Sequence, residues 1–338
     1  MNHIKRKTCL GIPLIFMILA LTTGISINTG FTPIPILEII KVFLFQGEPK
    51  YNLILLDFRL PRIVIALMTG MGLALSGLIL QGITQNPLSG PGLLGINAGA
   101  GLIVVLSIAL GGTMNVTSIY ALPFFALFGG ALSGFAIYLL SKNGDRGLHP
   151  IRLILNGVAI QAGIFALMSL IVIGFDDSQH EFLARWQAGS IWSSNWNYVK
   201  AMLPWIAVCV VTLFFKRKHL DILATGDDTA LGLGLALKKE KAILLFLSIA
   251  LAAVSVAFTG SISFIGLMGP HMARRLFGTR HAILIPSSAL LGALFVLIAD
   301  TIGRTIISPS EIPAGIMVSI IGAPYFILLM LKGRKKNL

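Results

Sequence analysis

Leu60-Pro-Arg-Ile-Val-Ile-Ala-Leu-Met-Thr-Gly-Met-Gly-Leu-Ala-Leu-Ser-Gly-Leu-Ile-Leu-Gln-Gly-Ile-Thr84 decides the fold, because it is long enough to cross a membrane and nearly free of charge. A helix needs about 20 apolar residues to span the hydrocarbon core. This run carries one charged side chain, Arg62, close to its start. Its small residues recur at helix-packing spacing, Gly70 with Ala74 and Gly72 with Ser76, as in helices that meet closely in lipid.

Outward from that run the pattern repeats. Read against charged punctuation, apolar segments fall near 10–29, 60–84, 92–111, 118–141, 151–174, 198–215, 241–260, 263–277, 283–300 and 314–331. The eighth is short and holds Pro270 and His271. Each has to be helical, since a backbone amide in lipid must find its partner within its own segment. Composition agrees: 56% of the 338 residues are hydrophobic and 12% charged, against about 25% charged in soluble domains, and mean hydropathy is +0.89. The expected fold class is an all-α integral membrane protein of about ten transmembrane helices. It forms a single domain over 1–338, with no stretch left for a soluble catalytic unit. The basic start and Leu10–Ile27 read as an uncleaved first span.

The net charge of +13 is dispersed among loops between apolar runs, which fits membrane topology and not a nucleic-acid face. With the N-terminus inside, most of the 26 basic residues become cytoplasmic, including Lys5, Arg6, Lys7, Lys142, Arg146, Lys216, Arg217, Lys218, Lys238, Lys239, Lys241, Arg274, Arg275 and the Lys332–Lys336 tail. That bias puts both termini in the cytoplasm. Seven residues break it: Lys41, Lys50, Arg59, Arg62, Arg185, Lys200 and Arg304. Most can snorkel. Arg59 and Arg62 differ, because they bracket Pro61 at the outer end of a span; with Arg304 they form a cationic cluster that asks for an acidic partner outside.

All 13 carboxylates are expected at segment ends or in loops, Asp300 among them. Ion-coupled carriers commonly keep an ionisable group in the membrane interior, so the energy for this chain is expected from elsewhere. Cys9 and Cys209 lack metal-ligand spacing and read as structural. His271 has no second ligand near it, and no zinc-protease, nucleophile-elbow or phosphate-loop pattern occurs. The chain is therefore not read as an enzyme, and no cofactor or metal is expected. A self-sufficient channel or ion-coupled carrier is the rival class.

Three segments carry the remaining signal. Gln85-Asn86-Pro87-Leu88-Ser89-Gly90-Pro91-Gly92 breaks the helical pattern, either as an ordinary cytoplasmic turn or as a turn lining the inner mouth of a pathway. Leu223 to Gly234 reads as a turn followed by a short helix, with Asp227 and Asp228 in a first turn where negative charge suits the helix dipole. Such a helix suits docking into a groove on a cytoplasmic partner. Trp186, Trp192 and Trp196 fit an outer interfacial belt.

Five ordered blocks carry a family resemblance: Arg59-Leu-Pro-Arg62, Gln85-Asn-Pro-Leu-Ser-Gly-Pro-Gly-Leu-Leu-Gly95, Gly266-Leu-Met-Gly-Pro-His-Met-Ala-Arg-Arg275, Ala299-Asp-Thr-Ile-Gly-Arg304 and Glu311-Ile-Pro-Ala-Gly-Ile-Met-Val-Ser-Ile-Ile-Gly-Ala-Pro-Tyr-Phe326. Almost end to end, the chain resembles the FecCD-type permeases of ABC importers for ferric siderophores, haem and cobalamin. The resemblance implies a bundle like that of the cobalamin importer permease, in a bacterial cytoplasmic membrane. It also implies cytoplasmic ABC ATPases in two copies, an identical or paralogous second permease, and an extracytoplasmic substrate-binding protein. Arg59, Arg62 and Arg304 would then meet glutamates of that binding protein; local pairing of Arg304 with Asp300, or of Arg59 with Asp57, is the competing reading. The family's coupling helices match 223–235, including Leu223, Gly226, Asp227, Asp228, Ala230, Leu231 and Gly232. Asn86 and Leu88 match residues that close the pathway at its inner end. A second gate position, polar in the cobalamin importer, reads Pro150-Ile151 here and is not carried over. Ferric siderophore is the foremost expected substrate, with haem and cobalamin as alternatives.

Overall fold

The computed structural model describes residues 2–30, 32–111, 116–143, 147–191, 194–307 and 310–334. Asp145, Arg146, Trp192 and the tail from Lys335 lie outside the described residues, as do the side chains of Lys5, Arg6, Lys7, Cys9, Lys332 and Arg334. The described chain is almost wholly helical. A first helix, α1 (Asn2–Asn28), is followed by short helices α2 (Ile36–Phe43) and α3 (Pro49–Asn52), and a π-helical stretch over Leu53–Arg59 runs into α4 (Leu60–Thr84). A 3-10 turn at Pro91–Leu94 leads into α5 (Ile96–Gly111), then α6 (Val116–Leu140). A two-residue antiparallel hairpin, β1 (Lys142–Asn143) with β2 (Gly147–Leu148), precedes α7 (Pro150–Val172) and α8 (Asp177–Gln187). The second half runs α9 (Trp196–Phe215), α10 (Arg217–Leu223), α11 (Asp227–Gly232), α12 (Leu237–Thr259), α13 (Ile265–Phe277), α14 (His281–Ile306) and α15 (Ala314–Arg334).

Each of the ten apolar segments is a helix. Among the described residues seven helices are long and apolar enough to cross a membrane, and two shorter apolar ones cover Ile96–Leu110 and Ala314–Leu328. The eighth segment, α13, has 13 residues, about 20 Å of helix at 1.5 Å per residue. It follows a non-helical stretch at 260–264 where Phe264 takes a left-handed backbone conformation. Residues 32–59, outside those ten segments, hold α2, α3 and the π-helical stretch; α8 is likewise additional. These elements are too short or too polar to register as spans.

One expectation is overturned. The ninth segment does not stop at Asp300 but continues to Ile306, so Asp300 lies inside α14 and is only 1% exposed. A carboxylate can sit inside an apolar helix when a neighbour supplies a matching charge, and Arg62 does so here.

The core is organised around α4, which is buried on nearly every side from Ile63 to Thr84 and packs most extensively on α14 and α12. Its small residues make that possible. A Cβ on Gly70 would collide with the Gly292 backbone of α14, and one on Gly77 with the Gly266 backbone of α13. Ser76 and Ser248 bond side chain to side chain at 2.8 Å, fixing α4 against α12. By contrast α7 is mostly exposed along Ile151, Leu155, Val158 and Leu170, and α1 along Leu14, Phe16 and Leu21. In a membrane-spanning chain such faces meet lipid or another subunit.

Candidate functional site

At the N-terminal end of α4, three arginines converge on one cavity of about 660 Å³, lined also by Arg185, Ser190 and Glu311. Arg59 ends the π-helical stretch and turns toward the end of α1. Its guanidinium donates to the carbonyls of Ile27 (2.6 Å), Asn28 (3.3 Å) and Thr32. A cation there satisfies carbonyls that a helix C-terminus leaves open. Arg62 faces α14 instead: Nε donates to Asp300 Oδ1 at 3.0 Å and Nη2 to the same oxygen at 2.8 Å. Its other edge reaches Glu311, with Nη1 donating to Oε1 at 3.1 Å and Nη2 lying 2.9 Å from Oε2. Arg304 donates from Nη2 to the Ser26 carbonyl at 2.6 Å, and its Nε lies 3.7 Å from Asp300 Oδ2.

The competing local-pairing reading is therefore realised in part. Arg304 lies beside Asp300, but Arg59 meets backbone carbonyls and not Asp57. Three arginines against Asp300 and Glu311 leave the group net positive. Glu311 is the member most open to solvent, with a side chain 41% exposed, whereas Asp300 is sealed beneath Arg62. An acidic group entering the basin would find Arg62 already held from below and would compete with Glu311 for its upper edge.

Beside the basin three chain segments meet through glycines. Backbone N–H of Gly315, at the head of α15, donates to the Gly189 carbonyl at 2.9 Å. A Cβ on Gly260 would strike the Trp186 carbonyl, and one on Gly315 the Ala188 carbonyl. The end of α8, the break after α12 and the start of α15 are thus in backbone contact.

At the opposite end of the bundle, α10 and the 223–235 segment that it leads into are together tied to three long helices. Gln85 Nε2, just beyond α4, donates to the Leu223 carbonyl at 3.2 Å. Asp221 Oδ1 accepts from the His281 backbone at the head of α14 (2.8 Å) and contacts His281 Nδ1 at 2.7 Å. Asp227 Oδ2 accepts from Lys241 Nζ of α12 at 2.6 Å. Gly226 stands between α10 and α11 with φ +105°, a conformation that an L side chain strains to adopt, and this reverses the chain so that Asp227 and Asp228 begin the next helix. Leu223 and Ala230 face inward and are fully buried, whereas Leu231, Leu233 and Gly232 point outward. The outward set is an apolar and small surface of the kind that docks into a groove.

The turn after α4 is internally bonded. Asn86 Oδ1 accepts from the Leu88 backbone at 2.9 Å, and Ser89 is held by the Thr84 hydroxyl at 2.7 Å. Leu88 is exposed at its tip. His271 is engaged by Tyr325, Nδ1 to hydroxyl at 2.7 Å. Lys241, read from sequence as one more cytoplasmic charge, turns out to be fully buried at 0% exposure. Its place at the head of a long apolar run was the only sequence signal.

Comparison with known proteins covers almost the whole chain. Residues 18–332 match the FecCD transport family. The iron(3+)-hydroxamate import system permease protein FhuG of Bacillus subtilis (strain 168) is 44% identical over 323 residues, 94% of this chain and 95% of that protein. The Fe(3+) dicitrate transport system permease protein FecD of Escherichia coli (strain K12) is 35% identical over 322 residues, 95% of this chain and 98% of that one. A solved metal-chelate-type ABC transporter in an inward-facing conformation aligns with a TM-score of 0.84 at 31% identity, covering 95% of this chain and 98% of its own.

Proposed function

The chain belongs to the FecCD transport family, and on that premise we propose that it is the membrane permease of an ATP-driven importer for ferric siderophores. The hydroxamate class follows the relative that is 44% identical. The permease forms one domain of ten crossings in a bacterial cytoplasmic membrane, with both termini in the cytoplasm. It pairs with a second permease and with cytoplasmic ABC ATPases in two copies. It receives its substrate from an extracytoplasmic binding protein and hydrolyses nothing itself.

The observation that carries this reading is the tying of α10 and the 223–235 segment to the end of α4, to α12 and to α14 by three separate polar contacts, the one to α14 made by Asp221 of α10. A surface segment joined in this way can pass a push from an ATPase to the centre of the bundle. Nucleotide can shift the permease between two states only if the ATPases contact the two states differently, and Leu231, Gly232 and Leu233 offer the surface for that. In the basin, Arg62 and Arg304 receive an acidic side chain of the binding protein, with Arg59 holding the end of α1 in place. Arginine suits this role because its planar fork can hold two carboxylates at once and stays charged. Asn86 and Leu88 form the tip that closes the inner mouth.

Uptake of radiolabelled ferric hydroxamate into proteoliposomes holding the purified complex tests the proposal. Uptake should require ATP inside and binding protein outside. Uptake by this chain alone, driven by a proton or sodium gradient, would overturn it.

A further inference from the structure

On the side that the basic residues assign to the cytoplasm, α6 and α12 end beside each other under the β1–β2 hairpin. The two strands pair Lys142 with Leu148, and Gly147 lies so close to α12 that a Cβ there would fall 2.8 Å from the Lys238 backbone. Lys142 and Lys238 therefore stand at one level, at the ends of two apolar spans. Both are exposed, and among the described residues neither has a carboxylate within ion-pair distance.

Beside Lys142 lies a cluster of aromatic rings. The Lys142 ammonium sits 4.7 Å over the Tyr138 ring. Tyr138 packs on Phe246 at 4.9 Å between ring centroids, and Phe135 stacks on Phe246 at 6.4 Å. Phe135 and Phe246 remain well exposed although they lie in helices of transmembrane length. Lysines at the boundary with open aromatic rings beneath them match the two parts of a phospholipid, an anionic headgroup and an acyl chain.

We propose that this surface is a binding site for one anionic phospholipid of the inner leaflet, with the headgroup phosphate between Lys142 and Lys238 and an acyl chain along Tyr138, Phe135 and Phe246. The occupant is a lipid and not a soluble protein because the aromatic wall lies at membrane depth. The ends of α6 and α12 are also fixed by the hairpin, since Leu148 covers the buried Lys241. A bound headgroup would thus brace the helix that carries the link to the 223–235 segment.

The test is native mass spectrometry of the full-length permease, delipidated and titrated with dioleoyl phosphatidylglycerol or dioleoyl phosphatidylcholine. Phosphatidylglycerol should be retained selectively. A Lys142→Gln/Lys238→Gln variant should lose that retention about thirtyfold, the scale of two basic residues at an anionic surface. Lys142→Arg/Lys238→Arg should keep it, and also reports that the fold survives change at these positions. An Arg217→Gln/Lys218→Gln variant removes equal charge from the same surface and should leave retention unchanged. Equal binding of both lipids, or equal loss in the two glutamine variants, overturns the site in favour of a diffuse surface charge. If the second permease covers this surface instead, the Lys142→Gln/Lys238→Gln variant keeps its lipid binding while dimer association falls, which overturns the site too.

Discussion

Lys241, with no solvent exposure, is joined to Asp227 by a 2.6 Å ion pair that links the head of α12 to the short helix α11. The two partners are unequal, since the Asp227 side chain keeps 26% exposure. Removing the carboxylate strands a buried ammonium, whereas removing the ammonium strands a carboxylate that water can still reach. Leaving a buried charge without its partner costs about 3–5 kcal/mol. Asp227→Ala is therefore expected to lower the thermal unfolding temperature of the purified permease far more than Lys241→Met. Equal losses in the two variants would show that the pair is not the dominant contact.

Glu311 holds the upper edge of Arg62 and is its only exposed carboxylate partner among the described residues. Glu311→Gln should free that edge and strengthen docking of the binding protein, by up to about fivefold, the scale of one exposed ion pair. Arg62→Glu should weaken docking, but Asp300 then lies buried against like charge and the fold suffers. Charge reversal at Arg59 has a similar defect, since it removes the donor to three carbonyls. Glu311→Gln is thus the cleaner substitution, and an unchanged affinity in surface-plasmon measurements would argue against acidic docking at this basin.

Gly232 has open space around its Cβ position and no left-handed backbone. Gly232→Trp should leave the unfolding temperature of the isolated permease unchanged and abolish ATPase co-purification. Gly226, at φ +105°, cannot serve as that probe, because any side chain there strains the turn itself. A Gly232→Trp permease that still brings down its full complement of ATPase would remove the 223–235 segment from the coupling role.

Much of this was legible in the sequence, for a physical reason. Hydropathy reports burial in lipid, so the run 60–84 matches α4 residue for residue and each of the ten segments is a helix. The same rule misplaced the end of α14. Asp300 looks like punctuation in sequence, and only the fold brings Arg62 across to neutralise it. The burial of Lys241 was not legible either, since a lysine at the head of a span looks solvated until a hairpin covers it. The start of α11 at Asp227 was readable from its acidic first turn. The tie to Lys241 was not, because it depends on how two helices pack.

Asp176 supplies a pH-dependent element at the start of α8. Its carboxylate accepts from the Ser178 hydroxyl at 2.7 Å and from the Gln179 backbone at 2.9 Å. Those bonds, the Ser178 hydroxyl foremost, hold its pKa below the ordinary carboxylate value. With the folded value below the unfolded one, the cap stabilises the helix fully above the ordinary carboxylate pKa. That contribution is lost as pH falls through the lower folded value. The exchange protection factor of the Gln179 amide should therefore drop on acidification in the wild type and hold steady in Asp176→Asn, which keeps an acceptor that does not titrate. A parallel drop in both would assign the effect to another group.

The contacts among Gly189, Gly260 and Gly315 leave no room for a single methyl group. In mechanical terms that junction is a weld and not a hinge. Whichever way the pathway opens, the end of α8, the break before α13 and the head of α15 must travel as one piece. The bending has to occur elsewhere along those helices, and a residue as small as alanine at any of the three would misalign that end of the bundle without touching substrate.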